Sequence, residues 1–351
     1  MQKNQINIED YYNSENISYE LIDVRSPSEY FIDHIPGAIN YPALNDLERA
    51  NVGKLYNENP FEAKKMGAAL ICKNIAIFLE NGWKNKPRSW QPVIYCWRGG
   101  NRSRSVSHVL EKIGWKVLIL NGGYKAYRKY VLNSISEFVN CLSFSVVCGL
   151  TGSGKTKFLS YLGSKNEQVL DLEDLARHRG SLLGGIPSIK QPSQKMFDSL
   201  LLNKLKSFET DRKIFVESES KKIGNIQLPE SLIKLMRQSD CLWIETSDFE
   251  RVKLLREEYI HLANDTNELK KIIEKLIQIN NLNKNLYIKN LNDPKDLDKL
   301  VLDLLIKHYD PAYKKSMKNN FAKLSWARVI YMKDAKPINY SEVLEEAKRS
   351  K

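Results

Sequence analysis

The chain has 351 residues, with 54 Lys and Arg against 42 Asp and Glu, and a formal net charge of +12 at pH 7. This length predicts about two domains, and a hydrophobic content of 42% suffices for ordinary globular cores. No apolar run reaches the roughly 18 residues that span a bilayer, and the first residues lack the apolar centre of a signal peptide, so we expect no membrane partner and a cytoplasmic location.

The first third of the chain alternates strand-like and helix-like patterns. Residues 19–24 predict a strand, residues 60–81 a helix and residues 93–95 a second strand. After a glycine-containing loop, residues 103–113 predict another helix and residues 115–120 a third strand. Such alternation is typical of a mostly parallel sheet with helices on both faces. We therefore expect a first α/β domain over residues 1–135.

The loop after the second strand, Cys96-Trp-Arg-Gly-Gly-Asn-Arg-Ser, carries a candidate sulfur nucleophile. A reactive cysteine needs local positive potential, because the thiolate is the attacking form. Arg102 supplies a cation and the following helix adds its dipole, so Cys96 and Arg102 are the predicted catalytic residues. The residues predicted to bind an anion or a persulfide at this thiol are Arg98, Gly99, Gly100, Asn101, Ser103 and Arg104.

Two flanking segments resemble the signatures of the rhodanese family. They are Leu-Ile-Asp-Val-Arg-Ser-Pro-Ser-Glu-Tyr at residues 21–30, with His-Ile-Pro-Gly-Ala at 34–38, and the stretch around Gly122-Gly123. The resemblance covers roughly residues 8–132 and implies an α/β sulfurtransferase fold. Arg102 stands six residues after Cys96, one more than in ordinary rhodanese loops. The wider loop resembles those of phosphatases and favours a phosphate-sized ligand; a phosphatase and an inert buried thiol are the alternatives.

The other four cysteines lie in apolar runs and are predicted core residues: Cys72, Cys141, Cys148 and Cys241. The five cysteines form no C-x-x-C pair. We therefore expect neither a disulfide partner nor a structural metal site.

A second alternation begins at residue 144. Strands are predicted over residues 144–147, 168–172, 213–216 and 241–244, and helices over 155–162 and 193–208. Residues 248–307 predict appended helices, and a peripheral helix is predicted after residue 336. We expect a second open α/β sheet domain with a C-terminal helical extension over residues 136–351.

The segment Gly149-Leu-Thr-Gly-Ser-Gly-Lys-Thr matches the phosphate-loop pattern between a predicted strand and a predicted helix. Lys155 would contact a terminal phosphate and Thr156 would bind Mg²⁺. Asp171 and Glu173 at the end of one predicted strand, and Glu217 after another, are candidates for the Mg²⁺ shell, with surface carboxylates as the alternative. The residues predicted to bind a diphosphate are Gly149, Thr151, Gly152, Ser153, Gly154, Lys155 and Thr156.

The whole chain is similar to the tRNA 2-selenouridine synthase family. The similarity rests on a cysteine loop with a C-x5-R-S pattern, the phosphate loop, His-Arg-Gly-Ser at 178–181, Glu-Ser-Glu-Ser at 217–220 and His-Tyr-Asp-Pro-x-Tyr at 308–313. It implies geranylation of a wobble 2-thiouridine from geranyl diphosphate, followed by replacement of the geranylthio group by selenium from selenophosphate. The implied partners are the anticodon arm of a tRNA and a supplier of selenophosphate.

A positively charged protein of this kind is expected to bind RNA through cations and an exposed aromatic ring. The candidate RNA or substrate contacts are Trp97, His178, Arg179, Arg251 and Arg256, with the lysines between residues 270 and 289. Solvated loops and helix faces are the alternative for the charged residues. The alternative function is a sulfurtransferase fused to an ATP-dependent small-molecule kinase, and a third is a nucleotide-gated binding module.

Overall fold

The computed structural model describes residues 4–14, 18–180, 184–186, 189–258 and 294–332. The chain divides into two compact units, residues 1–137 with 192–206 and residues 138–191 with 207–351. The predicted class, two α/β units in sequence, is confirmed. The predicted second domain, residues 136–351, includes the helix over 193–208. The structure instead assigns residues 192–206 to the first unit.

The first unit contains a five-stranded sheet in which all neighbouring strands are parallel. The spatial order is β1-β5-β4-β2-β3. The strands are β1 (Gln5–Ile6), β2 (Glu20–Asp23), β3 (Ile39–Asn40), β4 (Pro92–Tyr95) and β5 (Leu118–Leu120). Strand β4 is central and all four of its residues are buried, so the cysteine loop begins from a rigid part of the sheet.

The helices of this unit pack around an apolar core that includes Ile22, Ile94 and Leu110. Those that precede β6 (Ser143–Gly149) are α1 (Ile8–Tyr12), α2 (Pro27–Ile32), α3 (Asp46–Glu58), α4 (Pro60–Phe78), α5 (Asn101–Ile113) and α6 (Gly123–Asn140), and α4 continues into the π-helical turn Leu79–Trp83. The pattern predicted one helix over residues 60–81, and α4 with its π turn occupies that place.

The second unit contains another parallel five-stranded sheet, ordered β12-β11-β6-β8-β7. Its strands are β6 (Ser143–Gly149), β7 (Gln168–Leu170), β8 (Lys213–Glu217), β11 (Asp240–Thr246) and β12 (Arg328–Met332); β9 (Lys222–Ile223) and β10 (Ile226–Gln227) form a small antiparallel pair. Strand β6 is central, and it leads directly into the phosphate loop.

The helices after β6 are α7 (Lys155–Ser164), α8 (Leu172–Ala176), α9 (Gln194–Lys206), α10 (Glu230–Gln238), α11 (Asp248–Glu258), α12 (Pro294–Leu304) and α13 (Asp310–Asn320). All but α9 belong to the second unit. The predicted lysine-rich stretch at 270–289 and the helix after residue 336 lie outside the described residues. Across the described ranges, no helix is both long and apolar enough to cross a bilayer.

Helix α9 joins the first unit through a fully buried carboxylate, Asp33. The hydroxyl of Ser199 on α9 donates to one oxygen of Asp33 at 2.9 Å, and the Tyr124 hydroxyl donates to the other at 2.7 Å. Arg128 on α6 lies 3.6 Å from Asp33 and pairs with Asp198 on α9 at 2.9 Å. Burial raises the pKa of Asp33, although these hydrogen bonds oppose the increase. A polar network therefore attaches α9 to the first unit.

Candidate functional site

The thiol of Cys96 lies directly after the central strand β4 and is 4% exposed. Its Sγ atom accepts a hydrogen bond from the Gly100 N–H at 3.2 Å and lies 3.3 Å from the Ser103 hydroxyl. Ser103 is held in turn, because its hydroxyl lies 3.0 Å from the Gly100 carbonyl oxygen. The loop thus bends around the sulfur and presents donors to it.

The pKa of the Cys96 thiol is lower than that of an ordinary cysteine. Burial alone would raise this pKa, but hydrogen bonds from Ser103 and from the backbone, with the positive charge of Arg102, outweigh it. The thiolate is therefore more populated at neutral pH than in a free cysteine, which suits a nucleophile.

Arg102 forms an ion pair that the sequence analysis did not identify. Its guanidinium donates to the Glu29 carboxylate at 2.8 Å, and Arg49 contacts the same oxygen at 2.9 Å. That oxygen also accepts from the Ser26 N–H and caps α2. Burial opposes ionisation of Glu29, yet Arg102 holds its pKa below the usual range. Glu29 was already visible in the rhodanese-like segment, but 73 residues separate it from Arg102.

The remaining predicted loop residues form the rim of the cysteine loop. Arg98, Asn101 and Arg104 have exposed side chains, whereas Gly99 and Ser103 are buried. Trp97 is 38% exposed and packs on Tyr124 with ring centroids 5.2 Å apart. The structure brings all these residues to one loop and the first turn of α5, where a cationic rim surrounds a buried thiol.

The Gly122-Gly123 turn supports the cysteine loop from behind. The Tyr124 N–H donates to the Cys96 carbonyl at 2.9 Å, and the Lys125 N–H donates to the Trp97 carbonyl at 3.0 Å. Gly123 has a φ of +56°, and a Cβ atom there would overlap the Cys96 carbonyl oxygen and lie 2.6 Å from the Gly99 nitrogen. Only glycine fits this contact.

Replacing Gly123 with alanine is expected to destabilise the protein by about 3 kcal/mol, because overlap and backbone strain both displace the cysteine loop. Urea unfolding of the full chain measures this loss. Gly114→Ala is the matched control: Gly114 also has a positive φ, +109°, but a Cβ there meets nothing within 4 Å. In Gly114→Ala, backbone strain alone should lower the free energy of unfolding by about 1–2 kcal/mol. Equal losses in the two variants would contradict the close approach.

Ser103→Ala is expected to raise the pKa of Cys96, because the thiolate loses a hydrogen-bond donor. At pH 7 the thiolate fraction then falls, and alkylation of Cys96 by iodoacetamide should slow several-fold. The rate is measured against pH by peptide mass spectrometry. Ser105→Ala changes an exposed serine on the same helix and serves as control. A wild-type pH profile in Ser103→Ala would rule out this role for Ser103.

The phosphate loop connects β6 to α7, with the positive φ angles of Gly149, Gly152 and Gly154 shaping the turn. Lys155 is 8% exposed, and its ammonium donates to the Gly149 carbonyl at 2.9 Å and the Leu150 carbonyl at 3.2 Å. Burial opposes its charge, but nearby Tyr313 and three glutamates raise its pKa above the ordinary value. Lys155 is therefore a permanent cation inside the loop.

Thr156, in the first turn of α7, lies beside Glu217 at the end of β8, and their role in a Mg²⁺ shell stays a prediction. The Thr156 hydroxyl donates to Glu217 at 3.1 Å, and the other Glu217 oxygen lies 3.4 Å from Lys155. A hydroxyl and a carboxylate are oxygen ligands that suit Mg²⁺ when phosphates complete the shell. Asp171 instead caps α8 by accepting from the Asp174 N–H at 2.9 Å, and its metal role stays a prediction.

Two further carboxylates lie on this side of the loop, on Glu173 and Glu219. A Cβ atom at Gly180 would lie 2.7 Å from a Glu173 oxygen and 3.0 Å from a Glu219 oxygen, so both carboxylates lie close to the Gly180 backbone. Burial and the charge of Glu217 raise the pKa of Glu219 to about 8. Across the described ranges, no group of three or more His, Cys, Asp and Glu residues is arranged to hold a metal ion.

Arg251 differs from its prediction as an RNA contact. Its side chain is 1% exposed and pairs with Asp310 and Asp248, so it is a buried structural residue. Arg256, on the same helix, is 43% exposed and pairs with Asp298 at 3.1 Å. His178 pairs with Gly185 in an isolated bridge, and the Arg179 N–H donates to the Gly184 carbonyl. Ser181 lies outside the described residues.

All five cysteines belong to the described residues, and each is a free thiol. Cys148 and Cys241 are buried on adjacent strands, as predicted for core residues. Cys72 and Cys141 are exposed, so the prediction that they are core residues is wrong. Their apolar neighbours in the sequence face the interior, whereas these two side chains face solvent.

Two family models match the chain. One, described as a Rhodanese-like domain, matches residues 8–130, and the other, described as a tRNA 2-selenouridine synthase AAA domain, matches residues 142–287. Together they cover most of the chain, and each contains one of the two loops.

Curated relatives named tRNA 2-selenouridine synthase match long stretches of the chain. A tRNA 2-selenouridine synthase of Nitrosomonas europaea is 36% identical over 252 residues, covering 68% of this chain and 63% of the relative. One of Pseudomonas syringae pv. syringae is 31% identical over 340 residues, covering 88% and 91%. The chain thus spans just under two thirds of the first relative and most of the second. The N-terminal domain of a putative ATP/GTP binding protein from Clostridium difficile 630 is a similar solved structure, 36% identical over 36% of this chain and 98% of that chain, with a TM-score of 0.32.

Proposed function

Because this chain belongs to the tRNA 2-selenouridine synthase family, we propose that it converts wobble 2-thiouridine in tRNA into 2-selenouridine. The single observation that supports this reaction best is the combination of an activated thiol and a phosphate loop in one chain. The proposed route has two steps, geranyl transfer and selenium transfer, and the proposed setting is the cytoplasm.

We place the first step at the phosphate loop. The thiouridine sulfur bonds to the first carbon of geranyl diphosphate, the bond from that carbon to oxygen breaks, and the N3 proton leaves to solvent. Lys155 stabilises the negative charge of the departing pyrophosphate. Thr156 and Glu217 would hold Mg²⁺, which supplies further positive charge when bound. This step makes the sulfur a better leaving group.

The second step uses selenophosphate at the cysteine loop. Selenium bonds to C2 of the uridine, the C2–S bond breaks, and geranylthiol departs; water then takes the phosphoryl group from selenium. The Gly100 N–H and the exposed Arg98 and Arg104 provide positive potential for the anion. Cys96 assists this transfer, and a selenophosphate-producing enzyme is the proposed supplier.

The proposed macromolecular partner is the anticodon arm of a tRNA. Trp97, beside the nucleophile, has the exposure needed to stack on a displaced base. The formal charge of +12 favours phosphate contacts. Filter binding of bulk tRNA at two salt concentrations tests the partner: affinity should fall steeply with salt, and a salt-independent or absent signal would contradict RNA binding.

Nucleoside mass spectrometry tests the reaction. tRNA containing 2-thiouridine is incubated with the protein, geranyl diphosphate and Mg²⁺, with and without selenophosphate. We expect S-geranyl-2-thiouridine without selenophosphate and 2-selenouridine with it. If neither nucleoside forms, the proposed reaction is wrong, and a sulfurtransferase joined to an ATP-dependent kinase becomes the better explanation.

A further inference from the structure

The segment around Asp310, for which the sequence suggested no specific role, contacts the phosphate loop through Arg251. Asp310 begins helix α13 and is 7% exposed. Its two carboxylate oxygens accept from the two terminal nitrogens of Arg251, at 2.9 and 2.6 Å. Such a two-point contact fixes the plane of the guanidinium group.

The remaining guanidinium nitrogen of Arg251 reaches the phosphate loop itself. Its Nε donates to the Thr151 carbonyl at 2.9 Å. Because a trans peptide is planar, the Gly152 N–H points in the direction opposite to the Thr151 carbonyl and therefore away from Arg251. The orientation of one loop N–H is thus set by a buried arginine whose own orientation is set by Asp310.

Helix α11 supports the same loop residue by close packing. A Cβ atom at Gly152 would lie 2.8 Å from the Leu255 side chain and 3.0 Å from the Arg251 carbonyl oxygen. The loop therefore rests directly on α11 with no room for a side chain. Any rotation of the Thr151–Gly152 peptide must break the hydrogen bond to Arg251.

One turn along α13, Tyr313 reaches the other side of the loop. Its hydroxyl lies 2.7 Å from the Ser218 hydroxyl, next to Glu217, and its ring centroid lies 5.6 Å from the Lys155 ammonium. Burial raises the pKa of Tyr313 to about 12, so the hydroxyl stays protonated at neutral pH. The first turn of α13 therefore contacts the phosphate loop through Arg251 and the end of β8 through Tyr313.

Arg251 does not offer its charge to a ligand. It is 1% exposed, and the carboxylates of Asp310 and Asp248 both lie within 3 Å of it. Its function at the loop must then be geometric. We propose that Asp310, acting through Arg251, is a positioning residue that holds the Thr151–Gly152 peptide of the phosphate loop in the orientation that receives a diphosphate. This inference rests on the proposed diphosphate role of the loop.

The test measures binding of inorganic pyrophosphate with Mg²⁺ to the full chain by calorimetry. Asp310→Asn keeps the size of the side chain but removes the charge that orients Arg251, and we expect the pyrophosphate Kd to rise about tenfold. In the geranyl-transfer assay, KM for geranyl diphosphate should rise more than kcat falls. Selenium transfer to tRNA that already carries S-geranyl-2-thiouridine should keep its wild-type rate.

Asp298→Asn is the matched control, because it breaks the other Arg–Asp pair of helix α11, the exposed one between Arg256 and Asp298 of α12. It should leave the Kd unchanged. The double variant Arg251→Met, Asp310→Leu replaces the buried pair with apolar groups of similar size and is expected to fold. Although folded, this double variant should bind pyrophosphate more weakly than the wild type, because the Thr151 carbonyl has lost its hydrogen-bond donor.

The outcomes separate the two claims. Wild-type affinity in Asp310→Asn or in the folded double variant would overturn the positioning role and leave the diphosphate site intact. A wild-type protein that fails to bind pyrophosphate would overturn both. If Asp298→Asn weakens pyrophosphate binding as much as Asp310→Asn does, the positioning role of Asp310 is also overturned, since the loss of affinity would then not depend on contact with the loop.

Discussion

Replacing Cys96 with serine is expected to abolish selenium incorporation while geranyl transfer continues. Serine keeps the size of the side chain and its hydrogen-bond partners Gly100 and Ser103, but its hydroxyl is not ionised at neutral pH. Loss of a catalytic thiolate that assists the transfer costs on the order of 10³-fold or more in rate. In the presence of selenophosphate, S-geranyl-2-thiouridine should therefore accumulate and 2-selenouridine should fall below detection.

The matched control is Cys72→Ser, which removes an exposed thiol from the same unit. It should form 2-selenouridine at the wild-type rate. Nucleoside mass spectrometry over a time course measures both products. If Cys96→Ser still forms selenouridine normally, the thiol has no part in selenium transfer. If the geranylated nucleoside is lost as well, the assignment of the two steps to separate loops is wrong.

Lys155→Ala is expected to have the opposite effect, with geranyl transfer reduced by about 10²–10³-fold. The ammonium lies 3.4 Å from Glu217, and without it this carboxylate repels an incoming diphosphate. The charge is fixed inside the loop, because the ammonium donates to two carbonyl groups there. The variant should nevertheless convert tRNA that already carries S-geranyl-2-thiouridine into the selenium product.

Lys157→Ala provides the control for Lys155→Ala. Lys157 lies two residues further along α7, is 47% exposed and pairs with Glu257 at the surface. A surface pair of this kind contributes little, so activity should stay within a factor of about two. Comparable losses in both variants would point to a general effect on α7. Normal geranyl transfer in Lys155→Ala would remove the phosphate loop from the first step.

The parts that could be predicted from sequence are those encoded by contiguous residues. The cysteine loop and the phosphate loop each consist of eight consecutive positions, so spacing alone revealed the thiol, the lysine and the glycine turns. The alternation of strands and helices likewise predicted two parallel sheets, because it reports which segments are buried on both faces.

The contacts that escaped prediction join residues that are far apart in the chain. Arg102 meets Glu29 across 73 positions, and Arg251 meets Asp310 across 59. An arginine at a helix surface and one buried against a loop have similar local sequences, which is why Arg251 was predicted as an RNA contact. Helix α9 has an ordinary amphipathic pattern, and nothing in it indicates which sheet it packs against.

The placement of α9 has a consequence for how the protein is made on the ribosome. The first unit lacks its last helix until residue 206 has been synthesised, about 70 residues after residue 137. At roughly 5–20 residues per second, this delay lasts several seconds, during which Asp33 and the face of α6 around Arg128 remain in water. The cysteine-bearing unit is therefore completed only after the phosphate loop has left the peptidyl-transferase centre, and the nascent chain must keep an unfinished surface free of aggregation in the meantime.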